Sequence, residues 1–122
     1  MELLIVVIII GILATVAIPQ FGNFTEKARG AEALANMGAI RSAVMAAILE
    51  GGATGATLTT AGTNAQYRVQ VSDKDWDTYT VGAVTAGGSF TIQALRNGGP
   101  ADNDAITLTQ SGTVAGAWKT KY

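Results

Sequence analysis

Chemistry needs a nucleophile with a base, a cluster of metal ligands, or a charge held where charge is costly, and this chain of 122 residues offers little of the first two. It has no His and no Cys, which removes the commonest general base, the commonest metal ligand, thiolate chemistry and disulfides together. The four serines, Ser42, Ser72, Ser89 and Ser111, have only Lys as an alternative base, so no catalytic residue is nominated and no enzymatic activity is expected. Asp73, Asp75 and Asp77 alternate as oxygen ligands do in calcium loops. Thr78 and Val84 stand where a helix-loop-helix calcium site needs Gly and Glu, so this reads as a solvated turn. Asp102-Asn103-Asp104 gathers oxygen atoms in a loop before a strand, without enough spacing information to nominate a metal ligand. Asn23-Phe24-Thr25 fits the short glycosylation acceptor pattern, and the threonines of residues 51–65 could carry O-linked sugars; neither supplies a site. One residue fits the third case: Glu2, an acid placed directly before a long apolar run.

That run must position Glu2. Leu3 to Thr25 carries no charge, and at 1.5 Å per helical residue Leu3 to Phe21 spans about 28 Å, close to the hydrocarbon thickness of a bilayer. A buried core helix would show an amphipathic face, and a secretory signal would show positive charge and a small-residue cleavage site in place of Met1-Glu2 and Ile18-Pro19-Gln20-Phe21. A carboxylate at the end of a membrane helix calls for a partner, since a charge at the bilayer centre costs roughly 2.5–3.5 kcal/mol. Gly11 and Pro19 are the two helix weakeners here, and the residues between them are the easiest to unwind. The net charge of −1 leaves no cationic excess for a phosphate backbone, so nucleic acid is not predicted as a partner.

Glu2 followed by LLIVVIIIGILATVAIPQF resembles the mature N-terminus of type IV pilins and of the pseudopilins of type II secretion systems. The resemblance rests on the single acid, Gly11 within the run, the ending at Phe21 and a polar helix beyond; past about residue 50 it is architectural only. It implies cleavage by a prepilin peptidase and N-methylation of the new terminus. In the family the acid lies four residues beyond that amine, so the processed terminus is expected upstream of Met1. It further implies a pilus assembly machinery, storage in the inner membrane, and a homo-oligomeric helical filament outside the cell. In that filament Glu2 would meet the N-terminal amine of a neighbouring subunit, and the stretch from Gly11 to Pro19 would lose helicity. Glu2, Gly11, Pro19 and Phe21 are the oligomerisation residues so nominated. No cofactor follows from the resemblance. Major pseudopilins bind calcium in a C-terminal loop, which keeps the Asp102–Asp104 loop and the secretion reading in view; a monomeric membrane-anchored binding module is the third reading.

From Thr25 the pattern turns amphipathic. Leu34, Met37, Ile40, Val44 and Ile48 form a stripe, with Glu26, Arg29, Glu32 and Glu50 available to solvent, until Gly51-Gly52 stops the helix. Residues 51–65 read as a loop. Alternation then predicts strands around Tyr67-Val69-Val71, Tyr79-Val81-Ala83, Phe90-Ile92-Ala94 and Ile106-Leu108. Two-residue hairpin turns are expected at Gly87-Gly88 and Ser111-Gly112, and a longer connection from Asn97. The predicted architecture is α+β: a long N-terminal helix, membrane-spanning and then amphipathic, packed on a small antiparallel sheet of about four strands. Residues 1–24 would be the polymerisation helix and 25–122 the head, with the helix over 25–50, the loop over 51–65 and the sheet over 66–118.

Overall fold

A computed structural model describes residues 1–52, 57–72, 74–99, 101 and 103–122. Helix α1 runs unbroken from Glu2 to Leu49, 48 residues, or about 72 Å. Its C-terminus is closed by the glycines that the sequence supplies. Gly51 takes φ 72°, Gly52 N–H donates to Ala47 O at 2.8 Å and Gly51 N–H donates to Ile48 O at 3.2 Å, a Schellman arrangement that satisfies carbonyls the helix leaves open.

Helix α2 (Thr60–Tyr67) follows, then β1 (Trp76–Val81), β2 (Thr91–Arg96), β3 (Ala105–Thr109), β4 (Val114–Ala115) and α3 (Ala117–Lys121). The strands form one antiparallel sheet in chain order, β1-β2-β3-β4. Three of the predicted strands form as expected. Tyr67-Val69-Val71 does not. Tyr67 ends α2, Arg68 turns the chain in the left-handed region, and the Asn64 side chain occupies both backbone groups of Val71 at 3.3 Å, so that segment has no ladder to join. The predicted loop over 51–65 is likewise corrected, since α2 begins at Thr60. The fourth strand is the two-residue β4.

Both hairpin turns are one residue longer than expected. Thr85 N–H donates to Ser89 O and Gly88 N–H to Thr85 O, enclosing residues 86–88; Thr109, Gly112 and Thr113 repeat this around 110–112. The last loop residue has positive φ in each case, 77° at Gly88 and 93° at Gly112, the position at which a three-residue hairpin loop needs glycine. The β1 edge is covered. Leu58 exchanges backbone hydrogen bonds with Val81, and Thr60 Oγ1 accepts from Tyr79 N–H, so these outward groups offer nothing to another strand.

The core lies between the sheet and residues 26–44 of α1. Gly30, Ala33, Met37, Ile40 and Val44 are buried against Tyr79, Val81, Ile92, Ala94, Ile106 and Leu108. Leu34 and Ile48, predicted as members of the stripe, are partly buried and pack at its margin. Glu26, predicted to face solvent, is buried at the start of the stripe. Trp118 of α3 completes the core; an added Cβ at Gly30 would meet its ring at 1.8 Å, so only glycine admits the indole at that depth.

Candidate functional site

Residues 2–24 of α1 project from the head as a stem. Every large apolar side chain from Leu3 to Phe24 is more than half exposed, Ile9 least at 51%. By length and composition the helix can cross a membrane. Glu2 begins it, where a carboxylate is favoured by the helix dipole. Gly11 has open space around its Cα, Pro19 sits within the helix, and Phe21 is exposed. These four nominated residues are strung over about 28 Å of one helix and are not brought together within a single chain.

The stem nevertheless contains a local weakness along one row. Pro19 has no N–H to give the Thr15 carbonyl, and Gly11 lies one turn before Thr15. The Thr15 hydroxyl donates back to Ile12 O at 2.6 Å and Gly11 O at 3.2 Å, a pattern that loosens and bends helices. The helix is continuous across this stretch in the isolated chain.

Where the stem enters the head, an ionic anchor holds it. Arg96, the last residue of β2, shares the inward parity of Ile92 and Ala94. Its Nε donates to Glu26 Oε2 at 3.0 Å and its Nη2 to Oε1 at 3.2 Å, a two-pronged pair with both residues almost fully buried. Nη1 donates to the carbonyls of Asp75 and Asn97, and the guanidinium lies 6.0 Å from the Trp76 ring. Arg29 Nη1 reaches Glu26 Oε1 at 2.7 Å, and Trp76 Nε1–H donates to Arg29 O at 3.1 Å. The Arg96 hydrogen bond draws the Glu26 carboxyl below its ordinary value, against the opposing effect of burial and with help from Arg29. Sequence reasoning missed this pair. The signal was present: Glu26 continues the stripe Gly30-Ala33-Met37, and Arg96 continues the alternation of Ile92 and Ala94.

The remaining candidates resolve differently. Asp73, Asp102 and the Asp77 side chain lie outside the described residues, and among the described residues no group of three metal-ligating side chains occurs. Asp104 instead pairs with Lys121 at 2.7 Å, which raises the lysine's pKa. Asn23 and Thr25 sit within α1, and the Thr25 hydroxyl donates to Phe21 O at 2.9 Å. Trp76 and Trp118 are core residues with ring centroids 6.1 Å apart, and Tyr122 packs on Trp118.

The family model Pilin, a bacterial filament family, matches residues 27–122, the helix and sheet of the head. Two fimbrial proteins of Pseudomonas aeruginosa are each 48% identical over 50 residues, which is 41% of this chain and 32% of the relative. The type IV major fimbrial protein FimA of Dichelobacter nodosus is 42% identical over the same length and shares. The chain therefore spans about a third of the length of the curated relatives it matches. No solved structure matches the chain.

Proposed function

The chain belongs to the Pilin family of bacterial filament proteins, and from that premise we propose that it is the structural subunit of an extracellular type IV pilus-like filament. The observation that carries this reading is the stem: an apolar helix with every large side chain exposed, uncovered by any of the described residues of its own head. Burying one such side chain yields roughly 1.5–3 kcal/mol, so in water the stem associates strongly with anything apolar. A bilayer satisfies it before assembly; other copies of itself satisfy it afterwards. Residues 1–24 are thus the polymerisation element and the head from 25 onward is its water-facing load, with Glu2, Gly11, Pro19 and Phe21 as the assembly residues.

In this reading Glu2 pairs across copies with an N-terminal amine and sets the axial register, which is how a charge in a dry fibre centre is tolerated. The processing peptidase, the assembly machinery and the inner membrane are its partners before export. Removing residues 1–24 tests the division of labour. The fragment keeps the whole stripe from Glu26 to Val44 over the sheet and is expected to sediment as a soluble monomer, whereas filaments or large oligomers would assign polymer formation to the head. Imaging the native cell surface separates the filament from a secretion pseudopilus: long fibres of this subunit are expected, and a chelator that removes the head's resistance to proteolysis would favour the secretion reading instead.

A further inference from the structure

We propose that Asn97 is a self-modifying site, whose side-chain amide is lost through attack by the main-chain nitrogen of Gly98, leaving an aspartyl or isoaspartyl residue and a new negative charge at the end of β2. Such an attack needs a side-chain carbonyl free to swing over the next peptide and a following residue that does not block it. The chain has five asparagines, Asn23, Asn36, Asn64, Asn97 and Asn103. Asn23 and Asn36 lie within α1 and Asn64 within α2, where the next N–H is engaged in the helix. Asn36 Nδ2 also donates to Tyr79 Oη at 3.1 Å, and the Asn64 side chain holds both backbone groups of Val71. Asn103 sits in the left-handed region at φ 61°, and the N–H of Asp104 after it donates to Ala101 O at 2.9 Å.

Asn97 differs on each count. It lies just beyond β2, it is exposed, and its side chain makes no hydrogen bond among the described residues. The residue after it has no side chain, the space around the Gly98 Cα is open, and Gly98 and Gly99 turn away at φ 74° and 76°. The main chain is held while the side chain is loose, since Asn97 N–H donates to Asp75 O at 3.1 Å. Reacting groups joined by so short a tether need no encounter step.

The Gly98 nitrogen gives its proton to water and bonds to Asn97 Cγ. The bond from Cγ to the amide nitrogen breaks, ammonia leaves, and a five-membered succinimide remains. One water then opens the ring. Opening at Cγ gives aspartate; opening at the main-chain carbonyl gives isoaspartate, with one extra methylene in the backbone. When Gly98 loses its proton, negative charge spreads onto Asn97 O, and Arg96 Nη1 already donates to that oxygen. In isoaspartate the same carbonyl becomes the free α-carboxylate, so the product gains an ionic partner that is in place beforehand. Either product takes the formal net charge from −1 to −2, one carboxylate having replaced one neutral amide.

The test holds the full chain in detergent in warm buffer, from neutral to mildly alkaline, and maps its tryptic peptides by electron-transfer fragmentation, which separates aspartate from isoaspartate. Ammonia release in step with an amide-to-acid mass gain at Asn97 is expected, at least tenfold faster than at the other four asparagines. The rate should rise with pH, because Gly98 must lose a proton. Asn97→Gln, whose longer side chain disfavours the five-membered ring, should keep its amide. Earlier conversion of another asparagine would overturn the assignment, as would an Asn97 that keeps its amide in the folded chain and loses it only in denaturant. A rate unchanged by pH, or equal amide loss in Asn97→Gln, would overturn the attack by Gly98.

Discussion

The two halves of α1 share one backbone helix and almost nothing else. Residues 3–24 carry no charge and bury no side chain; residues 26–44 carry Glu26, Lys27, Arg29, Glu32 and Arg41 and bury one stripe completely. The stem is thus the more apolar half and the less buried one, the reverse of what an isolated globular chain would choose. Hydrophobicity states that a surface will be covered without saying by what. In the head the cover is the chain's own sheet; the described residues leave the stem exposed.

The contrast is sharpest at two acids of α1, Glu26 and Glu2. Arg96→Ala leaves Glu26 without its two-pronged partner and should lower head stability by about 3–5 kcal/mol, measured by denaturant unfolding of the stemless fragment. Glu2→Ala should leave that stability untouched yet reduce fibre yield at least tenfold; a normal yield would sink the assembly role of Glu2. A second pair compares like with like on one helix. Ile40→Ala empties a fully buried position and should cost about 2–5 kcal/mol, while Ile8→Ala in detergent should change head melting by less than about 0.5 kcal/mol. Equal effects would mean that stem and head are not separable units.

Gly30→Ala should cost about 1–3 kcal/mol because its Cβ enters the space of the Trp118 ring, whereas Gly22→Ala and Gly38→Ala meet open space and should be neutral or slightly stabilising by helix propensity. Thermal melts of the three variants decide this. The smallest effect is the pH dependence of the anchor. The folded-state pKa of Glu26 is depressed, so its contribution is complete above the ordinary value of 4.5 and is lost as the pH falls through the lower folded value. Melting of the head should be flat from Glu26's standpoint near neutrality and decline on acidification below about pH 4.5, with Glu26→Gln removing part of that decline.

The stem was legible residue by residue, because an uncharged apolar run declares itself through composition alone and its helix needs no tertiary partner. The positions of β1, β2 and β3 were legible from alternation for the same kind of reason: period-two burial is a local property. Tyr67-Val69-Val71 alternates equally well but forms no strand, since pairing requires an edge, and Leu58 with Thr60 already occupies the outward groups of Val81 and Tyr79. The hairpin turns were legible but each is one residue longer than expected, because glycine marks the need for positive φ and leaves the loop length to the pairing of the flanking strands.

By itself, then, the sequence determined that this chain has a long uncharged apolar helix, joined to an α+β head whose helix and strands each bury one face. Those are consequences of which residues follow one another. Tertiary structure alone decided that Glu26 faces inward to meet Arg96, that Trp118 closes over Gly30, and that α2 and not a fifth strand lies at the sheet's edge. Each of these joins residues far apart in the chain, and a buried charge or an indole pressed against a bare Cα is favourable only once its distant partner is in place. The partner is a property of the fold, and no local period of the sequence records it.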